Sequence, residues 1–408
     1  MPLPPALYVL WAIWPLASYP GGKLFAPLIA LIGLFAIPHL KTHSFGKVSA
    51  LAALLLFWVS LSAVWSPAGE GFFSGPFLGD GFALEASYLR IAFTLIGSFL
   101  FLKLVTDAPP ARLDHVPYWI YGGLLIHLFA VAGIAFFKDS LFASQGHALV
   151  LTGQSMGRNI NLVALGAPLL LAGLFSLKDR RIGFLGAGAL VALIIALALR
   201  LDGLSAVLAL VLGGACFGIM RVANKGGFRI LFNTMAGAIF LAPAIVMAMV
   251  TAGPSVAAML PLTARQRILI WQATLERIVE APIFGHGVNA SASWTEKYAS
   301  RPDFLDQLIV DLAERRIIPN HSHNMAMQLW AETGLVGIIL ICVICVLIGR
   351  SLPEPRQLAL GPQIAAAGIF GGALAYFAVS YSVWDESFWA SVSIAVSGVV
   401  VLHRKYPA

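Results

Sequence analysis

Apolar runs long enough to cross a bilayer recur along nearly the whole 408-residue chain, separated by short polar stretches. A spanning helix needs about 20 mostly apolar residues, because the hydrocarbon core is about 30 Å thick and a helix rises about 1.5 Å per residue. The pattern predicts twelve transmembrane helices, at 5–20, 22–39, 47–65, 85–106, 117–137, 160–177, 183–199, 204–221, 229–250, 325–349, 362–382 and 386–402. The first two are short and flank Pro20-Gly21-Gly22, the composition of a tight hairpin. The expected fold class is all-α: residues 1–408 form one integral membrane domain, with a single long insert, 251–324, between spans nine and ten. The first residues lack a basic region and a small-residue cleavage site, so no signal peptide is expected.

The insert has its own periodicity. From Ala264 to Ala281, Ile268, Trp271, Leu275 and Ile278 recur at helical spacing, while Arg265, Gln272, Glu276 and Glu280 share a polar face. That is an amphipathic helix suited to lie on the bilayer or over a cavity. Arg267 falls at the start of the apolar stripe, which favours it over Arg265 as the inward-pointing base. Pro282-Ile283-Phe284-Gly285-His286-Gly287 breaks the helix. A second helix is expected after Pro302, with Phe304, Leu308 and Leu312 on one side and Asp303, Asp306, Gln307 and Glu314 on the other.

Composition agrees with the pattern. The chain is 59% hydrophobic and 11% charged, with a mean hydropathy of +0.86, which excludes an ordinary soluble globular protein. Its net charge of +7 needs no nucleic-acid partner. The bases collect in alternate loops: Lys41 and Lys47, Lys103 and Arg112, Lys178 to Arg181, Arg221 to Arg229, Arg350 and Arg356, Arg404-Lys405. The intervening loops carry Glu70, Asp80, Glu85 and Asp385-Glu386. The positive-inside rule then puts both termini in the cytoplasm and the insert outside, in the periplasm of a bacterium. Lys23 departs from this pattern. Cys342 and Cys345 form a C-x-x-C inside an apolar run with no His or acid nearby, which reads as helix packing more than metal or redox chemistry.

Several bases break the charge rule on the outer side. Arg90 lies just inside the outer end of span four, Arg158 precedes span six, Arg200 closes span seven, Arg265 and Arg267 lie in the insert, and His321 and His323 end it. An arginine within a span costs about 2.5–3.5 kcal/mol on insertion scales, less near the interface. Converging outer arginines would make a site for a phosphate or diphosphate. The alternative is local pairing or snorkelling, Arg200 with Asp202, Arg90 with Glu85 or a lipid headgroup.

His323 is expected in the first turn of span ten, where the helix dipole disfavours the imidazolium and leaves a neutral ring able to accept a proton. Two other readings stand beside it. His321-x-His323 with Asp303, Asp306 or Asp311 is a fragment of a metal site, and His323 alone is compatible with a structural role. Gly334 and Gly337 read as close-packing positions between helices.

His323-Asn324 followed after nine residues by Gly334-x-x-Gly337 resembles the motif of the O-antigen ligase family of membrane glycosyltransferases, whose superfamily includes polysaccharide polymerases. Trp65-Ser66-Pro67, Arg158-Asn159-x-Asn161, Arg267-x-x-x-Trp271 and Pro282-x-x-Gly285-x-Gly287 agree in order, and the resemblance covers about residues 50–349. It implies twelve spans with a helical periplasmic loop between the ninth and tenth, in a bacterial inner membrane. It also implies inverting transfer of a glycan from undecaprenyl diphosphate to lipid A-core, or to another glycan acceptor, at the periplasmic face. No metal, cofactor or nucleotide is implied, and membrane lipids are the surroundings. Carried over by motif, His323 resembles the catalytic histidine, and Arg200 and Arg267 the arginines that hold the donor diphosphate. Arg158 and Arg90 are further candidates for that anion, with Asn324, Asn161, Arg265 and His321 in support. One departure is Arg200-Leu201-Asp202-Gly203, where family members often carry a Ser-Arg-Gly-like sequence. The alternative reactions are a repeat-unit polymerase on the same donor and, in a different class, a transporter or flippase of a lipid-linked anion.

Overall fold

The computed structural model describes residues 5–17, 25–37, 46–69, 73–74, 83–84, 86–143, 153–223, 225–251, 262–305 and 312–406. The Pro20-Gly21-Gly22 hairpin, Lys23, Glu85, Leu308, Asp306, Gln307 and Asp311 lie outside them. The helices in chain order are α1 (Pro5–Ala17), α2 (Phe25–Ala36), α3 (Lys47–Ser62), α4 (Ser87–Asp107), α5 (Val116–Ala143), α6 (Gly153–Phe175) and α7 (Arg180–Arg200). They continue with α8 (Leu204–Val222), α9 (Gly227–Thr251), α10 (Leu262–Glu280), the single-turn α11 (Pro302–Leu305), α12 (Met325–Ser351), α13 (Leu360–Val379) and α14 (Glu386–Lys405). The all-α expectation holds, apart from a two-residue antiparallel pair, Phe73–Ser74 with Ala83–Leu84.

Each of the twelve apolar runs contains a helix. Among the described residues nine helices are long and apolar enough to cross a membrane. The other three, α1, α2 and α3, have 13, 12 and 16 residues. At about 1.5 Å per residue their described residues reach less than the hydrocarbon thickness. Trp11 and Trp14 of α1 are nevertheless fully buried, and the Trp11 indole donates to Ser397 Oγ of α14 at 2.9 Å.

Helices associate here as they do in lipid, through small residues that let backbones approach. A Cβ added to Gly371 of α13 would lie 2.4 Å from the Gly213 nitrogen of α8. Cys342 behaves as a packing residue: its thiol donates to the Ala236 carbonyl of α9 at 3.3 Å.

Two departures from the hydropathy reading concern the site. α6 begins at Gly153, so Arg158 and Asn159 lie within the helix and not before it. Polar first-turn residues such as Gln154 and Ser155 lower hydropathy without preventing helix. α12 is not continuous: Gly334 has φ 61° and ψ −169°, a backbone conformation that essentially only glycine adopts.

That break is filled by the insert. Leu335 and Val336 donate to the Pro282 and Ile283 carbonyls at 2.9 and 3.3 Å, and His286 and Gly287 donate to the Ala331 and Glu332 carbonyls at 2.8 and 2.9 Å. Gly334 therefore packs against a loop and not between helices. Any Cβ there would lie 2.3 Å from the Ile283 oxygen. Gly337 faces its own helix, where a Cβ would meet Thr333 Oγ1 at 2.1 Å. The Trp65-Ser66 segment clamps the same loop, the indole donating to the Gly285 carbonyl at 3.2 Å and the hydroxyl to the Val288 carbonyl at 2.6 Å.

α10 is not an exposed amphipathic helix. Leu269, Ile270 and Ala273 pack into a small core with Tyr298, Phe304, Leu312, Ile317 and Ile318. Leu275 and Ile278 join the main core of the spans. The helix is thus apolar on two faces, sandwiched between the membrane helices and the rest of the insert.

Candidate active site

The segment 321–324 runs from the insert into α12. Asn324 is the N-cap, its side-chain oxygen accepting from the Met327 amide at 3.2 Å. A cap of this type contributes about 1 kcal/mol. His323 therefore precedes the first turn, and it carries a left-handed backbone, φ 52°. Such a conformation is uncommon outside glycine and is held here by its neighbours.

The His323 ring is partly buried, and its Nδ1 lies 3.3 Å from the Ser380 carbonyl oxygen. A carbonyl only accepts, so the proton of the neutral ring sits on Nδ1 and the lone pair on Nε2. Burial lowers the His323 pKa, the Ser380 contact opposes this, and the Arg267 charge lowers it further. His321 stands edge-on to the His323 ring, centroids 4.2 Å apart. Burial, then His323 and Arg158, push its pKa down to about 3.

Arg267 reaches this place because α10 is fixed one turn further on. The Trp271 indole donates to the Ser322 carbonyl at 3.0 Å, which ties the Arg267-x-x-x-Trp271 spacing to the histidine segment. The Arg267 guanidinium has its pKa lowered by burial. Its Nε is buried without a hydrogen-bond partner, and among the described residues no carboxylate pairs with it. Its Nη1 makes one long contact, 3.5 Å, to the Thr263 carbonyl.

Arg158 and Arg90 meet partners from the last helix. Arg158 pairs with Asp385 at 3.4 Å and Arg90 with Glu386 at 3.4 Å. Asp385 caps α14, accepting from the Phe388 amide at 3.2 Å. Both acids thus sit where the helix dipole favours them. Arg158 and Asp385 also line a cleft together with Leu162, Leu165, Tyr376 and Phe388.

Asn161, one turn below Arg158, ties the parts together. Its Oδ1 accepts from Ser205 at 2.8 Å and its Nδ2 donates to Ser380 Oγ at 3.4 Å. The α7–α8 turn that carries Arg200 is thereby linked, through Asn161, to the residue whose carbonyl holds His323. Arg200 itself is the exposed last residue of α7, and Arg265 is half-buried in α10. Asp303, a candidate metal ligand, is engaged with Arg301 at 3.3 Å.

Sequence reasoning missed a buried cluster beneath these residues. Glu332 of α12 is fully buried and accepts from the Asn289 amide at 2.9 Å, Ser291 Oγ at 2.6 Å, the Ser291 amide at 3.3 Å, Gln328 Nε2 at 3.1 Å and the Trp384 indole. The available signal was an acid and an amide, Gln328 and Glu332, one turn apart in an otherwise apolar span. Ser380 gave no signal, because it meets His323 through its backbone carbonyl.

Fold and site together define a multi-pass α-helical membrane protein in which a histidine and a half-buried arginine meet where one long insert joins the spans, with Arg158 near His321. A family model described as O-Antigen ligase matches residues 141–342, a stretch that holds His323, Arg267, Arg200 and Arg158 but not Ser380 or Asp385. Over that stretch the chain is similar to the O-antigen ligase family. An 84-residue stretch is 32% identical to a protein of Rickettsia conorii (strain ATCC VR-613 / Malish 7) described as "Putative polysaccharide ligase". The match takes in 20% of this chain and 19% of that relative's length.

Proposed function

We propose that this protein is an inverting membrane glycosyltransferase that moves a glycan from undecaprenyl diphosphate to lipid A-core at the periplasmic face of a bacterial inner membrane. The observation that carries the reading is the half-buried Arg267 guanidinium, with no carboxylate partner among the described residues, acting on a neutral His323. A buried cation without a counter-charge is costly, and a bound diphosphate would supply the missing charge through a bidentate contact.

The chemistry follows from the tautomer. His323 Nε2 takes the proton of the acceptor hydroxyl, and the oxygen attacks the anomeric carbon from the face opposite the diphosphate. The bond from that carbon to the diphosphate breaks, and the electron pair leaves with it. Arg267 and Arg200 stabilise the departing charge, with Arg158 and Arg90 as further positive charges. Asn161 holds the Ser380 segment, His321 packs the His323 ring, Asn324 fixes the start of α12, and Arg265 adds positive charge on α10. One displacement with no covalent intermediate inverts the anomeric centre.

A repeat-unit polymerase would use the same donor and the same base. Purified protein given an undecaprenyl-diphosphate-linked glycan and core-only lipopolysaccharide separates the two: glycan on core supports the ligase, longer chains on the lipid carrier the polymerase. The break in α12 raises the transporter reading, since transporters bind cargo at broken helices lining a cavity. Here the freed backbone groups are taken by residues 282–287 of the insert, which favours a braced site over a moving one.

A further inference from the structure

We infer that Glu332 is a positioning residue for His323, holding from below both the histidine and the carbonyl that fixes its tautomer. The inference rests on the reading of His323 as the working base. It begins from a carboxylate with no exposed surface and five donors converging on two oxygens. The donors come from Asn289 and Ser291 of the insert, from Gln328 one turn earlier on α12, and from Trp384 before α14.

One set leads to the histidine. Ser291 Oγ, 2.6 Å from Glu332 Oε1, also lies 3.0 Å from the Asn320 carbonyl, one residue before His321. The other leads to Ser380. The Trp384 indole donates to Glu332 Oε2. One turn earlier Gln328, which donates to Glu332 Oε1, accepts through Oε1 from the Val383 amide at 3.0 Å and Ser382 Oγ at 3.2 Å. The 382–384 backbone is therefore pinned two residues beyond Ser380, whose carbonyl lies 3.3 Å from His323 Nδ1. Glu332 touches no part of the histidine ring. It fixes the two segments between which the ring is held.

Converting one carboxylate oxygen to an amide tests this with little change of volume. In Glu332→Gln one accepting oxygen becomes an NH2 group that points donors at donors, and leaving such groups unpaired in a buried site is unfavourable. The 380–384 segment then loosens and His323 loses its fixed tautomer. The probe is diethyl pyrocarbonate, which acylates unprotonated imidazole, applied to the full-length protein in lipid nanodiscs and read at each histidine by peptide mass spectrometry. The expected result is at least a threefold faster reaction at His323 in Glu332→Gln, with the rate at His286 unchanged. In parallel, transfer from a fluorescent undecaprenyl-diphosphate-linked oligosaccharide is expected to lose at least tenfold in kcat with KM for that donor within twofold.

Trp384→Phe removes the indole N–H together with the pyrrole part of the ring and is expected to change the His323 rate in the same direction. It replaces Glu332→Gln should that variant not fold. An unchanged His323 reaction rate in a folded variant overturns the positioning role. So does a loss that falls on KM alone. Absence of transfer by the unsubstituted protein overturns the proposed function instead, and leaves the labelling result to stand by itself.

Discussion

His323 Nδ1 lies 3.3 Å from the Ser380 carbonyl oxygen, a contact that crosses from the start of α12 to the turn before α14. It joins residues 57 apart in sequence and decides which ring nitrogen is available for chemistry. The same ring feels the Arg267 charge from α10. Three elements far apart in the chain thus set the state of one imidazole.

Removing the arginine should show this directly. Arg267 lowers the His323 pKa by repulsion, so Arg267→Ala is expected to raise it. The pH midpoint for diethyl pyrocarbonate labelling at His323 should move upward, with the acid limb of any transfer activity moving the same way. Donor affinity should fall by at least tenfold, read by titration with the lipid-linked glycan.

Arg200→Lys is expected to weaken donor binding by about tenfold. An ammonium supplies a point charge where a guanidinium supplies a planar fork for two phosphate oxygens. KM for the donor measures it, and an unchanged KM would remove Arg200 from the proposed diphosphate site.

Acid should destabilise the protein through His321. Its folded-state pKa, about 3, lies below the ordinary value of 6.5, so below pH 6.5 the unfolded chain binds a proton that the folded one refuses. Stability is unaffected by this group above 6.5 and is lost as pH falls from there toward 3, at about 1.4 kcal/mol per pH unit. His321→Gln removes that dependence. The thermal midpoint of the variant should fall less between pH 7 and pH 5 than that of the unsubstituted protein.

Gly334→Ala tests the broken helix. Its φ of 61° and the 2.3 Å approach of a Cβ to the Ile283 oxygen leave no room for a side chain. The backbone strain alone costs about 1–3 kcal/mol. A lower thermal midpoint is expected, with faster proteolysis of the 282–287 loop that fills the break.

The parts of this site differ in how far the sequence shows them. A histidine after a polar stretch and arginines on the wrong side of the charge pattern stand out because bases are expensive near lipid. The amphipathic stripe revealed α10, but one stripe could not show that its other side faces a second small core. The partners Asp385 and Glu386 were visible as acids, yet their pairing with Arg158 and Arg90 joins α14 to α6 and α4, and local periodicity carries no information on such distant contacts. Gly334 looks like helix packing in sequence, because the loop that fills the break lies about 50 residues away. Ser380 meets His323 through its carbonyl, which every residue has.

The most direct test of the account is transfer by His323→Ala, purified in nanodiscs and supplied with an undecaprenyl-diphosphate-linked glycan and core-only lipopolysaccharide. The account expects the variant to keep its thermal midpoint within a few degrees, to bind the donor, and to form no glycan-bearing core. Core carrying glycan at the unsubstituted rate would contradict it.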